Sequence, residues 1–204
     1  NGKKPISRSE TTRPDQRTAD MTLATASQVI RYERTLGMTV MVGKGFYCPN
    51  DMSFGADGRI YVLNRSIEIR AEGRGMRVAV CDANDEYYGS FGVFGSGRGE
   101  FMWPSAIAVG PDNQVYVADE HLQKIMVFSS DGEFIDEWGD AGSRPGELDT
   151  PSGIAIDHES NLLISDTYNH RIQVFTPEGT FIRTIGKEGN GDGELNMPWR
   201  LSIG

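Results

Sequence analysis

The chain has 204 residues, of which 38% are hydrophobic and 24% charged, and its formal net charge is -9. The excess of acidic side chains argues against a general polyanion-binding protein, because neutralising phosphates requires clustered Lys and Arg. The sequence has neither a run of about 18 apolar residues nor the apolar N-terminal stretch of a signal peptide, so it predicts no membrane-spanning segment and leaves the compartment undetermined.

The first 48 residues divide into two parts. Residues 1–20 hold five Lys or Arg, three acids and no apolar periodicity, which predicts a flexible tail. Residues 21–48 are interpreted as a linker together with the outer strand of a preceding repeat, placed at about 28–37. The basis is that RTLG at 34–37 resembles RTIG at 183–186.

The rest of the chain is periodic. Residues 104–150 and 151–197 are two copies of a 47-residue repeat, and a weaker copy at 49–103 carries a loop insertion at 65–77. Residues 198–204 are predicted to form the first strand of a further copy. The same spacing separates two sets of landmarks, which are Pro104, Pro151 and Pro198, and Gly92, Gly139 and Gly186. This period predicts a repeat protein built from one supersecondary unit.

Each copy contains four apolar runs of strand length. In the copy at 104–150 they cover about 105–109, 114–118, 124–128 and 133–138, and all are rich in Val, Ile, Phe and Tyr. The turns between them contain the Gly, Asn and Asp residues that tight hairpins need, and the 25 glycines among 204 residues exceed the average of about 7%. The pattern predicts an all-β propeller with one four-stranded antiparallel blade per repeat.

The segments VYVADEHLQKIMVFSSDGEFIDEWG and LLISDTYNHRIQVFTPEGTFIRTIG resemble NHL repeats. The shared pattern is an apolar strand ending in Asp, a short polar loop with Asn or His, and a strand of the RIQVF kind. The resemblance covers residues 28–204 and implies blades of a six-bladed ring. Six blades of 47 residues need more than this chain supplies, so we expect an incomplete ring whose missing blades come from the rest of a longer chain or from a second copy. The alternative is a four-bladed closure in which 28–37 joins 198–204.

An acid and a base recur at the loop between the second and third strands of the two stronger copies. They are Asp119 with Lys124 and Asp166 with Arg171, and Asn64 takes the acid's place in the weaker copy. A recurring pair of this kind is expected to hold its loop in place through charge-assisted hydrogen bonds. We therefore interpret these residues as structural.

Departures from the repeat are more informative about function. The second residue after each proline is Asp51, Ala106, Gly153 and Arg200. Small residues in this row suit the crowded centre of a propeller, and Asp51 and Arg200 are the two exceptions. Their side chains are therefore predicted to lie near the rim of the central channel. They are expected either to contact a ligand there or to form a solvated charge pair across the channel.

The resemblance also raises an enzymatic alternative. The peptidyl-hydroxyglycine amidating lyases are similar to NHL propellers and take zinc-binding histidines from the residue after the proline in three blades. The four corresponding positions here lack histidine: Asn50, Ser105, Ser152 and Trp199. No metal site or cofactor is therefore predicted, and zinc or calcium is expected only if missing blades supply ligands. Tyr168 matches the placement of the lyases' catalytic tyrosine, which keeps open a channel site built from Asp51, Tyr168 and Arg200.

Aromatic residues flank the repeated prolines and are expected at one end of the propeller, namely Phe46, Tyr47, Trp103 and Trp199. An aromatic rim with few cations suits a protein, peptide or small ligand better than nucleic acid. Only the insertion offers a basic patch, from Arg65, Arg70, Arg74 and Arg77. Cys48 and Cys81 are 33 residues apart without a CxxC motif and are expected to be free thiols.

The sequence thus favours a non-catalytic binding scaffold for a protein, peptide or small-molecule ligand at the channel-mouth face. A lyase or hydrolase in the channel is the first alternative, and single-stranded RNA binding is the second. The predicted ligand-binding residues are Asn50, Asp51, Trp103, Ser105, His121, Ser152, Tyr168, Trp199 and Arg200.

Overall fold

A computed structural model describes residues 21–22, 29–30, 32, 35–37, 44–65 and 75–203. The chain divides into two units, 1–35 and 36–204. In the first unit, β1 (Met21–Thr22) pairs antiparallel with β2 (Val29–Ile30). The predicted tail at 1–20 lies outside the described residues.

The second unit contains three four-stranded antiparallel sheets, which confirms the predicted all-β, propeller-type architecture. The first sheet consists of β3 (Pro49–Phe54), β4 (Arg59–Asn64), β5 (Arg77–Asp82) and β6 (Tyr87–Phe91). The second consists of β7 (Pro104–Val109), β8 (Val115–Asp119), β9 (Lys124–Phe128) and β10 (Phe134–Trp138). After the short parallel pair β11 (Asp140–Ala141) and β12 (Glu147–Leu148), the third consists of β13 (Pro151–Ile156), β14 (Leu162–Asp166), β15 (Arg171–Phe175) and β16 (Phe181–Ile185).

The sheets pack face to face because alternate residues of each strand point to opposite faces. On the middle sheet, Ile107, Val117 and Phe128 pack against the first sheet, while Tyr116 and Ile125 pack against the third. Both faces of the middle sheet are therefore buried. The three described sheets follow one another as blades and do not close a ring.

The hairpins at one end of the blades are held by aspartates, as the turn sequences predict. Asp57, Asp112 and Asp157 each accept a hydrogen bond from the backbone N–H two residues later, an Asx-type turn that fixes the loop locally. The loops at the opposite end join the second strand to the third and each blade to the next, and they carry the candidate site. Among the described residues, no helix is long and apolar enough to cross a membrane.

Two sequence-based expectations about outer segments look different in the structure. Residues 198–203 run beside β13 but belong to no strand, because among the described residues no second strand completes a ladder with them. Val29–Ile30 pairs with β1, and residues 35–37 are irregular. The other residues of the strand predicted at 28–37, and the insertion between 65 and 75, lie outside the described part of the chain.

The repeated glycine after each fourth strand has a steric reason. Gly92 has a φ of +80°, and a Cβ added there would lie 2.1 Å from the ring of Phe101. Phe101 is fully buried in the core between the first two sheets. Close packing at this junction, as well as the backbone conformation, therefore requires glycine.

We expect Gly92→Ala to lower the free energy of unfolding by about 2 to 4 kcal/mol, since an unfavourable positive φ and an overpacked core add together. Gly58→Ala is the matched control, because Gly58 has a φ of +83° but nothing within 4 Å of the added Cβ. The control is expected to lose only about 1 to 2 kcal/mol. Urea unfolding of both variants measures the difference, and equal losses would contradict the steric explanation.

Candidate functional site

The first residue after each proline connects one blade to the next. Asn50 Nδ2 donates to the Ser105 carbonyl at 2.7 Å, and Ser105 Oγ donates to the Pro151 carbonyl at 2.6 Å. Ser152 Oγ donates to the Trp199 carbonyl at 2.8 Å. The side chains of Asn50, Ser105 and Ser152 thus hydrogen-bond to the neighbouring innermost segment, an arrangement that holds the blades in register.

Asp51 and Arg200 meet at the channel. Arg200 Nη1 lies 2.7 Å from Asp51 Oδ1, and Arg200 Nη2 donates to the Asn50 carbonyl. The second Asp51 oxygen accepts from the Ile107 N–H at 3.0 Å. Both residues line a cavity of about 300 Å³ between the innermost strands and residues 200–203. Their charges compensate each other within this cavity.

The last residue of each second strand forms a hydrogen bond to the segment that leads into the first strand of the same blade. Each of these side chains accepts a hydrogen bond from the backbone N–H 17 residues earlier, at 2.6 to 2.8 Å: Asn64 from Tyr47, Asp119 from Met102 and Asp166 from Asp149. The contact positions the residues just before each proline. It therefore shapes the loop end of every blade.

The partner of this position differs between blades. Asp166 pairs with Arg171 at 2.7 Å, as the sequence predicts. Lys124 does not pair with Asp119 and instead lies 2.5 Å from Glu137 on β10. The physical reason is that the carboxylate of the fully buried Asp119 has no free acceptor. One oxygen accepts from the backbone N–H groups of Met102 and Trp103. The other accepts from those of His121 and Leu122.

A second cavity, which we call the aromatic groove, lies at the loop end of the second and third blades. It has a volume of about 370 Å³ and is lined by Trp103, Glu120, His121, Thr150 and Tyr168. Trp103 and Thr150 precede equivalent prolines, and His121 and Tyr168 are equivalent residues of adjacent repeats. Matching positions of two blades thus face one groove with different side chains.

Tyr168 is the most prominent side chain of the aromatic groove. It lies on the 3₁₀ turn Thr167–Asn169 and is 56% exposed. Its backbone N–H donates to the Asp149 carbonyl, which fixes the turn. The turn is therefore anchored while the ring remains available to a ligand.

Glu120 gives the groove its charged wall. Arg65 Nη2 lies 2.6 Å from Glu120 Oε1, and the Arg65 guanidinium stacks 4.4 Å from the centre of the Trp103 ring. Glu120 Oε2 is buried and has no hydrogen-bond partner among the described residues. Burial raises the pKa of Glu120, and the nearby Arg65 opposes that rise. A carboxyl group in a cleft whose pKa is shifted by burial and by a specific charged partner is a candidate functional residue.

We expect Arg65→Met to raise the pKa of Glu120 further, because the stabilising cation is lost while burial remains. Since the folded pKa lies above the unfolded one, Glu120 favours the folded state at low pH, and this contribution is lost as pH rises through the folded pKa. An NMR titration of the side-chain carboxyl carbon measures the shift. Arg144→Met is the control, because it removes an arginine that lowers the pKa of a different carboxyl group, Glu147. An unchanged pKa of Glu120 in Arg65→Met would contradict the interpretation.

The structure brings some predicted site residues together and separates others. Trp103, His121 and Tyr168 share the aromatic groove, whereas Asp51 and Arg200 line the channel cavity. The catalytic set of Asp51, Tyr168 and Arg200 is therefore divided between two cavities. Trp199 is 51% exposed but does not line the groove.

Glu120 and Thr150, which line the groove, are not among the predicted site residues, and Arg65 is predicted only as part of a basic patch. Arg65 and Glu120 follow the recurring Asn64 and Asp119 directly, and the equivalent residue of the third repeat is Thr167. An arginine, a glutamate and a threonine at one repeat position is the kind of departure that points to function. This position could have been found by comparing the repeats at every residue.

The other candidates carry little chemistry. Arg77 is buried and donates to the Gly45 carbonyl, while Arg70 and Arg74 lie outside the described residues. Cys48 and Cys81 are free thiols. No group of three His, Cys, Asp or Glu side chains suited to a metal ion occurs among the residues that the structure describes.

Comparisons with known proteins agree with the fold. A family model described as NHL repeat matches residues 148–175, which confirms the resemblance seen in the sequence. Similar solved structures include hydrazine synthase from Kuenenia stuttgartiensis, at 19% identity and a TM-score of 0.53, over 75% of this chain and 38% of that chain. A search of curated proteins found no match.

Two lyases are also similar in structure. A catalytically inactive virginiamycin B lyase from Staphylococcus aureus with quinupristin is 12% identical, with a TM-score of 0.53 over 74% of this chain and 44% of that chain. A streptogramin B lyase is 15% identical, with a TM-score of 0.53 over 75% of this chain and 44% of that chain. At these identities the likeness shows the propeller fold alone. The chain spans less than half the length of each of these structures.

Proposed function

We propose that this chain, which carries an NHL repeat within a β-propeller fold, is a binding scaffold that receives a protein segment, peptide or small ligand in its aromatic groove. The proposal rests on one observation, which is that recurring residues and differing residues of the repeats have different places in the structure. Residues that recur, such as Asp119 and Asp166, hold the loops through backbone hydrogen bonds. Residues that differ between the repeats line the groove.

The side chains of the groove suit binding. Tyrosine and tryptophan supply large contact areas at low cost in conformational entropy and are enriched at binding hot spots. Tyr168 presents its ring from an anchored turn, and Trp103 is already fixed by Arg65. A preorganised wall of this kind reduces the entropy lost when a ligand binds.

A selection experiment tests the proposal without assuming a ligand. The protein would be immobilised through one terminus, and a phage library of random 12-residue peptides would be selected on it. We expect enriched peptides that are competed by soluble wild-type protein and by Tyr88→Ala, but not by Tyr168→Ala. Tyr88 is a matched exposed aromatic residue near the opposite end of the blades. Peptides competed equally by both variants, or no enrichment, would contradict the assignment.

The contacts of the candidate residues favour this proposal over the two alternatives. Asp51 and Arg200 are occupied by each other and by backbone groups, and Tyr168 lies in the other cavity. Of the arginines in the insertion region, Arg65 is engaged with Glu120 and Trp103. A channel enzyme or an RNA-binding face therefore has less support than a peptide-binding groove.

A further inference from the structure

We propose that the aromatic groove recognises a basic side chain, arginine or lysine, of a bound peptide segment. This inference rests on the proposed binding function and adds the chemical class of the ligand. It follows from the charges around the groove, from the aromatic faces that line it and from the carboxylate of Glu120.

The charges at the groove are mainly negative. Glu120 lines the groove directly. The Asp119 carboxylate accepts from the backbone N–H groups of the lining residues Trp103 and His121. Asp149 accepts from the hydroxyl of the lining residue Thr150 at 3.2 Å. Arg65 is the one cation bonded to a lining residue among the described side chains. The Asp51–Arg200 pair in the neighbouring cavity is compensated. The surplus of acids attracts a cation, and the net charge of -9 adds to this attraction at longer range.

The aromatic rings are suited to the same kind of ligand. A guanidinium or ammonium group binds favourably over the face of tryptophan or tyrosine, within about 6 Å of the ring centre. Arg65 provides an internal example, since its guanidinium lies 4.4 Å from the centre of the Trp103 ring while bonded to Glu120. Tyr168 offers a second, exposed ring on the other blade.

Glu120 leaves one acceptor unused. Arg65 bonds to Oε1, whereas the buried Oε2 has no partner among the described residues. A buried acceptor without a donor costs free energy. The Glu120 carboxylate lines the groove, so a cationic ligand group placed there would be attracted to the charge that Arg65 only partly compensates. An acidic ligand group would instead be repelled by the same carboxylate.

Defined peptides test the inference on the full chain. The probes are four acetylated, amidated pentapeptides, Gly-Leu-Xaa-Leu-Gly, in which Xaa is Arg, Lys, Gln or Glu. Dissociation constants come from NMR titrations, and the indole N–H signal of Trp103 reports binding at the groove. We expect the Arg and Lys peptides to bind at least about tenfold more tightly than the Glu peptide, with the Gln peptide between them.

Two variants separate the groove from the general acidity of the protein. Glu120→Gln keeps the side-chain size and is expected to weaken the Arg peptide by about three- to tenfold. Glu178→Gln removes an exposed acid from a hairpin at the other end of the blades and is expected to have no effect. Tyr168→Ala serves as a second groove variant if Glu120→Gln is destabilised, with the same expected loss.

The outcomes distinguish the inference from the proposed function. If all four peptides bind with equal affinity and move the Trp103 signal, the groove binds peptides but the basic-ligand inference is overturned. Equal weakening of the Arg peptide by Glu120→Gln and Glu178→Gln would also overturn it, because attraction would then come from overall charge. If no peptide moves the Trp103 signal, both the inference and the proposed function fail.

Discussion

Asp119→Asn is expected to lower the free energy of unfolding by about 2 to 5 kcal/mol, because two buried backbone N–H groups lose their acceptor. The Asp119 carboxylate is fully buried and accepts four backbone hydrogen bonds, two at each oxygen. In the variant, one oxygen becomes an NH₂ group that points at two donors. Asn64 tolerates the amide at the equivalent position because it donates to the carbonyls of Val62 and Arg77.

Urea unfolding measures this loss, and Asp112→Asn provides the matched control. Asp112 is exposed, and its carboxylate accepts one backbone N–H, from Gln114 at 3.2 Å. We expect this control to cost less than about 1 kcal/mol. If Asp119→Asn were as mild as the control, the four-bond contact would not hold the loop. The functional consequence is direct, since Trp103 and His121 are both attached to this carboxylate.

Tyr168→Ala is expected to weaken a peptide selected on the wild-type protein by at least about tenfold, which corresponds to about 1.4 kcal/mol. The loss comes from the contact area and ring face of a side chain that is 56% exposed. The turn itself is held through backbone and Asn169 contacts, so the fold is expected to remain intact. Isothermal titration calorimetry measures the affinity, and circular dichroism checks the fold.

The control for this binding loss is Tyr88→Ala. Tyr88 is 49% exposed and lies near the opposite end of the blades, so its removal changes the surface by a similar amount without touching the groove. We expect wild-type affinity in this variant. Unchanged affinity in Tyr168→Ala, or an equal loss in Tyr88→Ala, would place the binding site elsewhere.

Much of the fold could be predicted because the sequence repeats itself. A 47-residue period and four apolar runs per period were enough to predict four-stranded blades, and each described blade has them. The hairpin aspartates and the glycine at position 92 also follow from local rules. Such features depend on neighbours in sequence or on equivalent positions of the next repeat.

The site was harder to predict because its contacts cross between repeats. Nothing in the local sequence indicates that Arg65 reaches Glu120, 55 residues away, and stacks on Trp103. The pairing of Lys124 was predicted wrongly for a related reason. Asp119 is saturated by backbone donors from two segments, so Lys124 turns to Glu137 on the adjacent strand, and a count of charges at repeat positions does not reveal this saturation.

Trp103, His121 and Tyr168 are all predicted ligand-binding residues, although for different reasons. Trp103 flanks a repeated proline, and Tyr168 matches the placement of the lyases' catalytic tyrosine. Their meeting in one groove depends on the packing of the second blade against the third. Asp51 and Arg200, which both depart from the small residues of the innermost strands, lie 2.7 Å apart.

Hydrogen–deuterium exchange with a selected peptide is the most direct test of the central claim that the aromatic groove is the binding site. Exchange would be compared with and without a saturating amount of the peptide. We predict slower exchange at 102–105, 118–122, 148–151 and 167–170, which contain the groove walls, and no change at 51–53 or 200–203, which line the channel cavity. Protection confined to the channel segments, with none at the groove walls, would contradict the account.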